Sequence, residues 1–136
     1  MHTVGWFLPE SEQEASERYE ALASTAQLVV RESTRAMEFG REEYDERVTG
    51  DVVGTARDVL FAEQLQVTVG TREEFEEHRA DSDGEYQVFG SENVDNVAWH
   101  APGFADGVAA TFHGEEEAAV GTLRRQAMGH VYEDVV

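Results

Sequence analysis

The stretch NVAWHAPGFADGVAATFHGEEEAAVGTLRRQAMGHVYEDVV, residues 96–136, reads as two β-strands followed by one amphipathic helix. The strands are Val97–Ala101 and Val108–His113, joined by a compact loop Pro102–Gly107 whose proline and glycines are turn formers. Pairing Ala101 with Val108 sets Trp99 opposite Ala110 and Val97 opposite Phe112. One face then carries Val97, Trp99, Ala101, Val108, Ala110 and Phe112, an apolar set with side-chain period two. The other carries Ala98, His100, Ala109, Thr111 and His113.

The helix starts near Glu115, where three successive glutamates complement the positive end of the helix dipole. Val120, Leu123, Ala127 and Val131 recur at intervals of three and four, and Met128 and Val135 widen that stripe. Gly121 and Gly129 each cost roughly 1 kcal/mol inside a helix relative to alanine. Closer approach of the helix to the sheet is the expected offset.

Upstream, Ser11 and Glu14 have capping-box spacing, and Ala15, Tyr19, Leu22, Ala26, Val29 and Met37 continue an apolar stripe. Residues 11–38 form one helix or two, split at Ser24-Thr25, and Gly40 ends the segment. A short helix is expected over Arg41–Val48, and Thr49 caps another that uses Val52, Val53, Ala56, Val59 and Leu60. At Leu65 the period changes: Leu65, Val67 and Val69 alternate as a strand stopped by Gly70. Thr71 and Glu74 form a second capping box opening a helix to about Ala80. A turn over Asp81–Glu85 and a strand Tyr86–Phe89 lead to Gly90–Asn96 and the hairpin. The fold class expected is α+β: a helical first half, then a small, mostly antiparallel sheet in βαβββα order with a long C-terminal helix packed on it.

At 136 residues the chain is most simply one domain, residues 1–136. Without cysteine it has neither disulfides nor thiolate metal sites. No apolar run approaches the ~20 residues that span a bilayer, and Met1–Leu8 lacks the basic leader of a secretory signal. A cytoplasmic location with no membrane partner is the expectation. Aspartate and glutamate number 29 against ten basic residues, all arginine, for a net charge of −19. The acids are interspersed with periodic apolar residues, which argues against a disordered tail. At ~1 M salt the Debye length is about 3 Å and repulsion among carboxylates nearly vanishes. The charge therefore reads as adaptation to a salt-rich cell interior, and a cationic partner is not needed to explain it.

Four segments, RYEALASTAQLVVRESTRAMEF (18–39), GTREEFEEH (70–78), GSENVDNVAWH (90–100) and EEEAAVGTLRRQAMGHVY (115–132), span most of the chain. In them the protein resembles the small acidic proteins of unknown function that recur in halophilic archaea. The resemblance implies a source and a compartment. It carries over no activity and no catalytic or ligand residue.

Candidate binding residues are His100 and His113, placed on the same hairpin face by the expected pairing. There His113 lies opposite Asn96, four residues from His100 and roughly 13 Å away. That is too far to share a metal ion. Surface or interface histidines on a patch of small residues fit better, with an N-terminal helix or a second subunit as cover. Glu74 and His78, at i and i+4, read as a solvated helix face rather than a metal pair. Asp81, Asp83 and Gly84 resemble part of an EF-hand loop, but position one would be Arg79 and position twelve Gly90, so the frame fails. Arg124 and Arg125 are expected to pair with neighbouring acids. No phosphate loop, Gly-x-Ser-x-Gly elbow or His-Glu-x-x-His is present, so no cofactor and no catalytic residue is assigned.

Three function classes remain. The first is a non-enzymatic binding or assembly module, homodimeric in one version, with Trp6, Phe7 and Leu8 near an unstructured end as an extra docking patch. The second is an enzyme or small-ligand binder with His100 or His113 beside Asp95 or Asp106. The third is a winged-helix-like nucleic-acid binder reading through residues 50–63. That segment sets Arg57 against Asp51, Asp58 and Glu63, and salt weakens phosphate binding steeply.

Overall fold

The computed structural model describes residues 1–82 and 84–136. Its elements run β1 (His2–Val4), α1 (Glu12–Ala21), α2 (Ala23–Ala36), α3 (Arg41–Arg47), α4 (Gly50–Gln64), β2 (Val67–Thr71), α5 (Arg72–Asp81), β3 (Tyr86–Phe89), β4 (Asn96–His100), β5 (Gly107–Phe112) and α6 (Glu116–Ala127). A π-helical turn, Met128–Tyr132, follows α6. This is an α+β fold built on one five-stranded sheet of order β1-β2-β4-β5-β3. Every strand pair is antiparallel except β3 with β5. Among the described residues no helix is long and apolar enough to cross a membrane.

Local capping sets the helix starts. Thr49 Oγ1 accepts from Val52 N, and Thr71 with Glu74 closes both arms of a capping box. At α1 only half of the box forms: Ser11 caps Glu14 N, while the Glu14 carboxylate reaches back to Glu10 N at 3.2 Å. The helical segment divides at Leu22, just before Ser24-Thr25. Gly40 does not end α2. Glu38 takes the left-handed conformation there (φ 60°), with Glu38 N–H donating to Arg35 O and Phe39 N–H to Thr34 O. This is a Schellman turn with glutamate where glycine is usual.

The hairpin register is one residue away from the expected pairing. His100 pairs with Val108, Trp99 with Ala109, Ala98 with Ala110 and Val97 with Thr111. Gly107 belongs to β5, where its Cα packs so tightly on Tyr86 that a Cβ would lie 2.5 Å from the ring. Because side chains alternate with period two, a slip of one reassigns the faces of one strand against the other. Val97, Trp99 and Ala109 share one face with Phe75 of α5 and Tyr86. Ala98 and Val108 share the opposite face with Phe61, Val67, Val69, Leu123 and Tyr132. Cover on that larger side comes from α6, with α4 behind it, rather than from an N-terminal helix alone.

Three further expectations change. Gly70 lies inside β2, paired with Val97, and does not stop it. The glycines of the C-terminal helix do not mediate close approach: a Cβ at Gly121 would meet only the tip of Arg125, and at Gly129 nothing. The apolar stripe shifts at the π turn, which adds a residue to the helical repeat. Ala127 is therefore followed inward by Tyr132, while Val131 is only half-buried. The chain start is ordered as well. β1 pairs with β2, Phe7 is buried, and Trp6 and Leu8 stay exposed.

Candidate binding sites

The structure separates the two candidate histidines. His100 points into the larger core and is 1 % exposed, whereas His113 follows β5 at the surface, on the other side of the sheet. The shared face expected for them does not exist, because it depended on the displaced register. His100 Nδ1 lies 2.7 Å from Gln66 O, a carbonyl that can only accept, so Nδ1 carries the proton. Nε2 is then a bare acceptor, and the Tyr132 hydroxyl donates to it at 2.6 Å. Burial pushes the imidazole pKa down to about 4, opposed by the Gln66 carbonyl and assisted by Arg124. Burial raises the Tyr132 phenol. Both ring nitrogens are thus committed to a neutral buried pair.

The remaining candidates are similarly engaged. Glu74 Oε1 accepts from Thr71 N at 2.9 Å, and His78 Nε2 lies 2.7 Å from the Tyr86 hydroxyl. Asp81 is the last residue of α5, while Asp83 lies outside the described residues. No group of three or more potential metal ligands comes together among the described residues. Asp106 lines a cleft of about 380 Å³ with Glu85, but the imidazole there is His130, not His100 or His113. Arg124 is buried: its Nε donates to Leu65 O at 3.1 Å, its Nη2 to Val4 O at 3.3 Å, and its Nη1 pairs with Glu63 at 3.5 Å. It ties the first strand to the α4–β2 junction. The expected partner among the acids is there, but Arg125 stays exposed and unpaired among the described residues. On α4, Arg57 donates to Tyr19 O at 2.7 Å and lies 3.9 Å from the centre of the Tyr19 ring, so it is spent inside the fold.

The sequence reading passed over a cleft of about 360 Å³ where the end of α2 meets α3. Arg31, Arg35 and Arg41 line it together with Thr34, Phe39 and Tyr44, and among the described residues no carboxylate does. Three of the chain's ten arginines line this one cleft, in a protein with 29 acids. A visible signal existed: residues 21–31, ALASTAQLVVR, contain no acid. The larger cleft of about 530 Å³ over α5 and β3 differs in kind. Its Arg72 and Arg79 both pair with Glu76, which lines the same space.

No curated protein and no solved structure shows significant similarity to this chain. Residues 6–133 match the model of a protein family described as Family of unknown function (DUF5809), and the chain belongs to that family.

Proposed function

We propose that the protein is a non-enzymatic assembly module of a salt-rich cytoplasm, and that it pairs with a second copy of itself through the α2–α4 helices. The observation that carries this reading is where the acidic coat thins. Ten of the fourteen residues of α2 are exposed, yet Glu32 is the helix's one acid, while ten-residue α5 carries five. Leu28, Val29, Met37, Val52 and Val59, on α2 and α4 or just past them, are five of the nine large apolar side chains exposed among the described residues. Desolvating a carboxylate is costly, so surfaces that become interfaces lose acids and keep apolar groups. A second copy is the occupant because a partner from the same acidic cytoplasm needs an equally spared face. A two-fold contact of this surface with itself supplies one.

Light scattering in multimolar potassium chloride tests it. The expected mass is twice the 15.2 kDa of one chain, reverting to one chain in Leu28→Glu/Val59→Glu. A monomer at every concentration ends the dimer reading. The brine reading is tested separately, by loss of a cooperative melt on dilution of the salt. A second reading, a small-ligand binder with a carboxylate and histidine site beside the hairpin, is supported by the cleft of Glu85, Asp106 and His130. It requires an amine to raise the melting temperature, and an Asp106→Asn variant to abolish that rise.

A further inference from the structure

Seven of the ten arginines have a partner within the chain. Arg18 bonds Gln64, Arg57 bonds Tyr19 and Arg124 bonds two carbonyls. Arg35, Arg47, Arg72 and Arg79 pair with glutamates. The guanidinium groups with no bond or ion pair among the described residues are those of Arg31, Arg41 and Arg125, and two of these three line the same cleft. The aromatic walls of that cleft are held in place. The left-handed turn at Glu38 folds Phe39 back along α2, and Arg47 stacks 5.7 Å from the centre of the Phe39 ring. Tyr44 comes from the middle of α3 and is half-buried.

We infer that this cleft binds a small organic anion carrying a flat ring, the chemistry of a nucleoside monophosphate. Guanidinium groups present planar forks that match phosphate oxygens two at a time, and they are weakly hydrated. Phe39 and Tyr44 offer ring faces on which a base stacks. The volume, about 360 Å³, is within the range of small-ligand pockets, roughly 300–1,000 Å³. The global charge of −19 repels an anion in dilute buffer, but at ~1 M salt screening acts within about 3 Å. In brine an incoming phosphate therefore meets Arg31 and Arg41 at short range, while Glu32, the acid beside the cleft, is already held by Arg35 at 3.2 Å. Bidentate contact and stacking are short-range, so they outlast that screening. The cleft borders the dimer face, since Leu28, Arg31 and Arg35 stand at i, i+3 and i+7 on α2, but the tests are separable because one reads mass and the other ligand heat.

Calorimetry on the full chain in multimolar potassium chloride tests it with three probes: adenosine monophosphate, inorganic phosphate and adenosine. The monophosphate is expected to saturate one site per chain, with phosphate and adenosine each at least tenfold weaker. Arg31→Gln/Arg41→Gln, whose urea midpoint should match the parent, is expected to weaken the monophosphate at least tenfold. Absence of saturable heat overturns the proposal, as does an undiminished affinity in the double variant. Phosphate binding as tightly as the monophosphate removes the ring from the site, and adenosine doing so removes the anion. Either result refutes the inference as stated.

Discussion

The sheet with α6 and the helical hairpin α2–α4 treat polar groups in opposite ways. In the sheet half, β4 buries Val97, Ala98, Trp99 and His100 in succession, and the polar groups that enter the core find partners inside it. Arg124 is satisfied by two carbonyls and one acid. In the helical half α2 buries three small or medium side chains, Ala26, Val30 and Thr34, and leaves Leu28 and Val29 in solvent beside Arg31, which has no partner among the described residues. The first region spends its chemistry on holding itself together. The second holds chemistry in reserve, although it belongs to the same strongly acidic chain. A histidine in the sheet half should therefore report on stability, and an arginine in the helical half on binding.

The largest effect that tests this contrast is expected at His100. His100→Ala leaves a cavity and strands the Gln66 carbonyl and the Tyr132 hydroxyl, at a cost of about 3–5 kcal/mol. Urea unfolding at constant potassium chloride measures it. A loss under 1 kcal/mol would mean the core tolerates an unpaired polar group, and the two halves would not differ as described.

Acid should produce the next largest effect. His100 titrates near 6.5 when unfolded and near 4 when folded. Between those values the unfolded chain binds a proton that the folded one refuses. Stability is thus complete above pH 6.5 and falls as pH drops toward 4, by roughly 3 kcal/mol in all. High salt is the right medium, because it screens the carboxylate repulsion whose relief by acid acts in the opposite direction. His100→Gln should flatten this limb of the curve. If the variant keeps the full slope, another group is responsible.

How far the sequence could be read follows the same division. Thr49 with Val52, and Thr71 with Glu74, were legible because a cap is satisfied within three residues. The βαβββα order was legible from changes of period. The hairpin register was not: β4 is buried on both faces, so an apolar tally fits two pairings equally well. What distinguishes them is the contact of Gly107 with Tyr86, between residues far apart in the chain. β1 is three residues long, too short to show a period. His100 and His113 were readable as hairpin residues, but their burial depended on that register. The arginine cleft was hidden because the turn at Glu38 falls between Arg35 and Arg41. A helical wheel ends there, whereas the cleft continues across it.

That turn gives the smallest expected effect, and one of opposite sign. A non-glycine residue in the left-handed region costs roughly 1–2 kcal/mol, and glycine returns part of any gain through the entropy of the unfolded chain. Glu38→Gly should therefore stabilise the protein by up to about 1 kcal/mol in urea at constant potassium chloride. The Schellman bonds from Glu38 N and Phe39 N are backbone bonds and survive the change. Phe39 should stay in place, so affinity for the monophosphate should remain within twofold of the parent. Stability rising while affinity drops tenfold would give the turn a different meaning. The stiffness of a glutamate backbone would then be part of how Phe39 is presented, and the helical half would be keeping strain for binding as well as arginines.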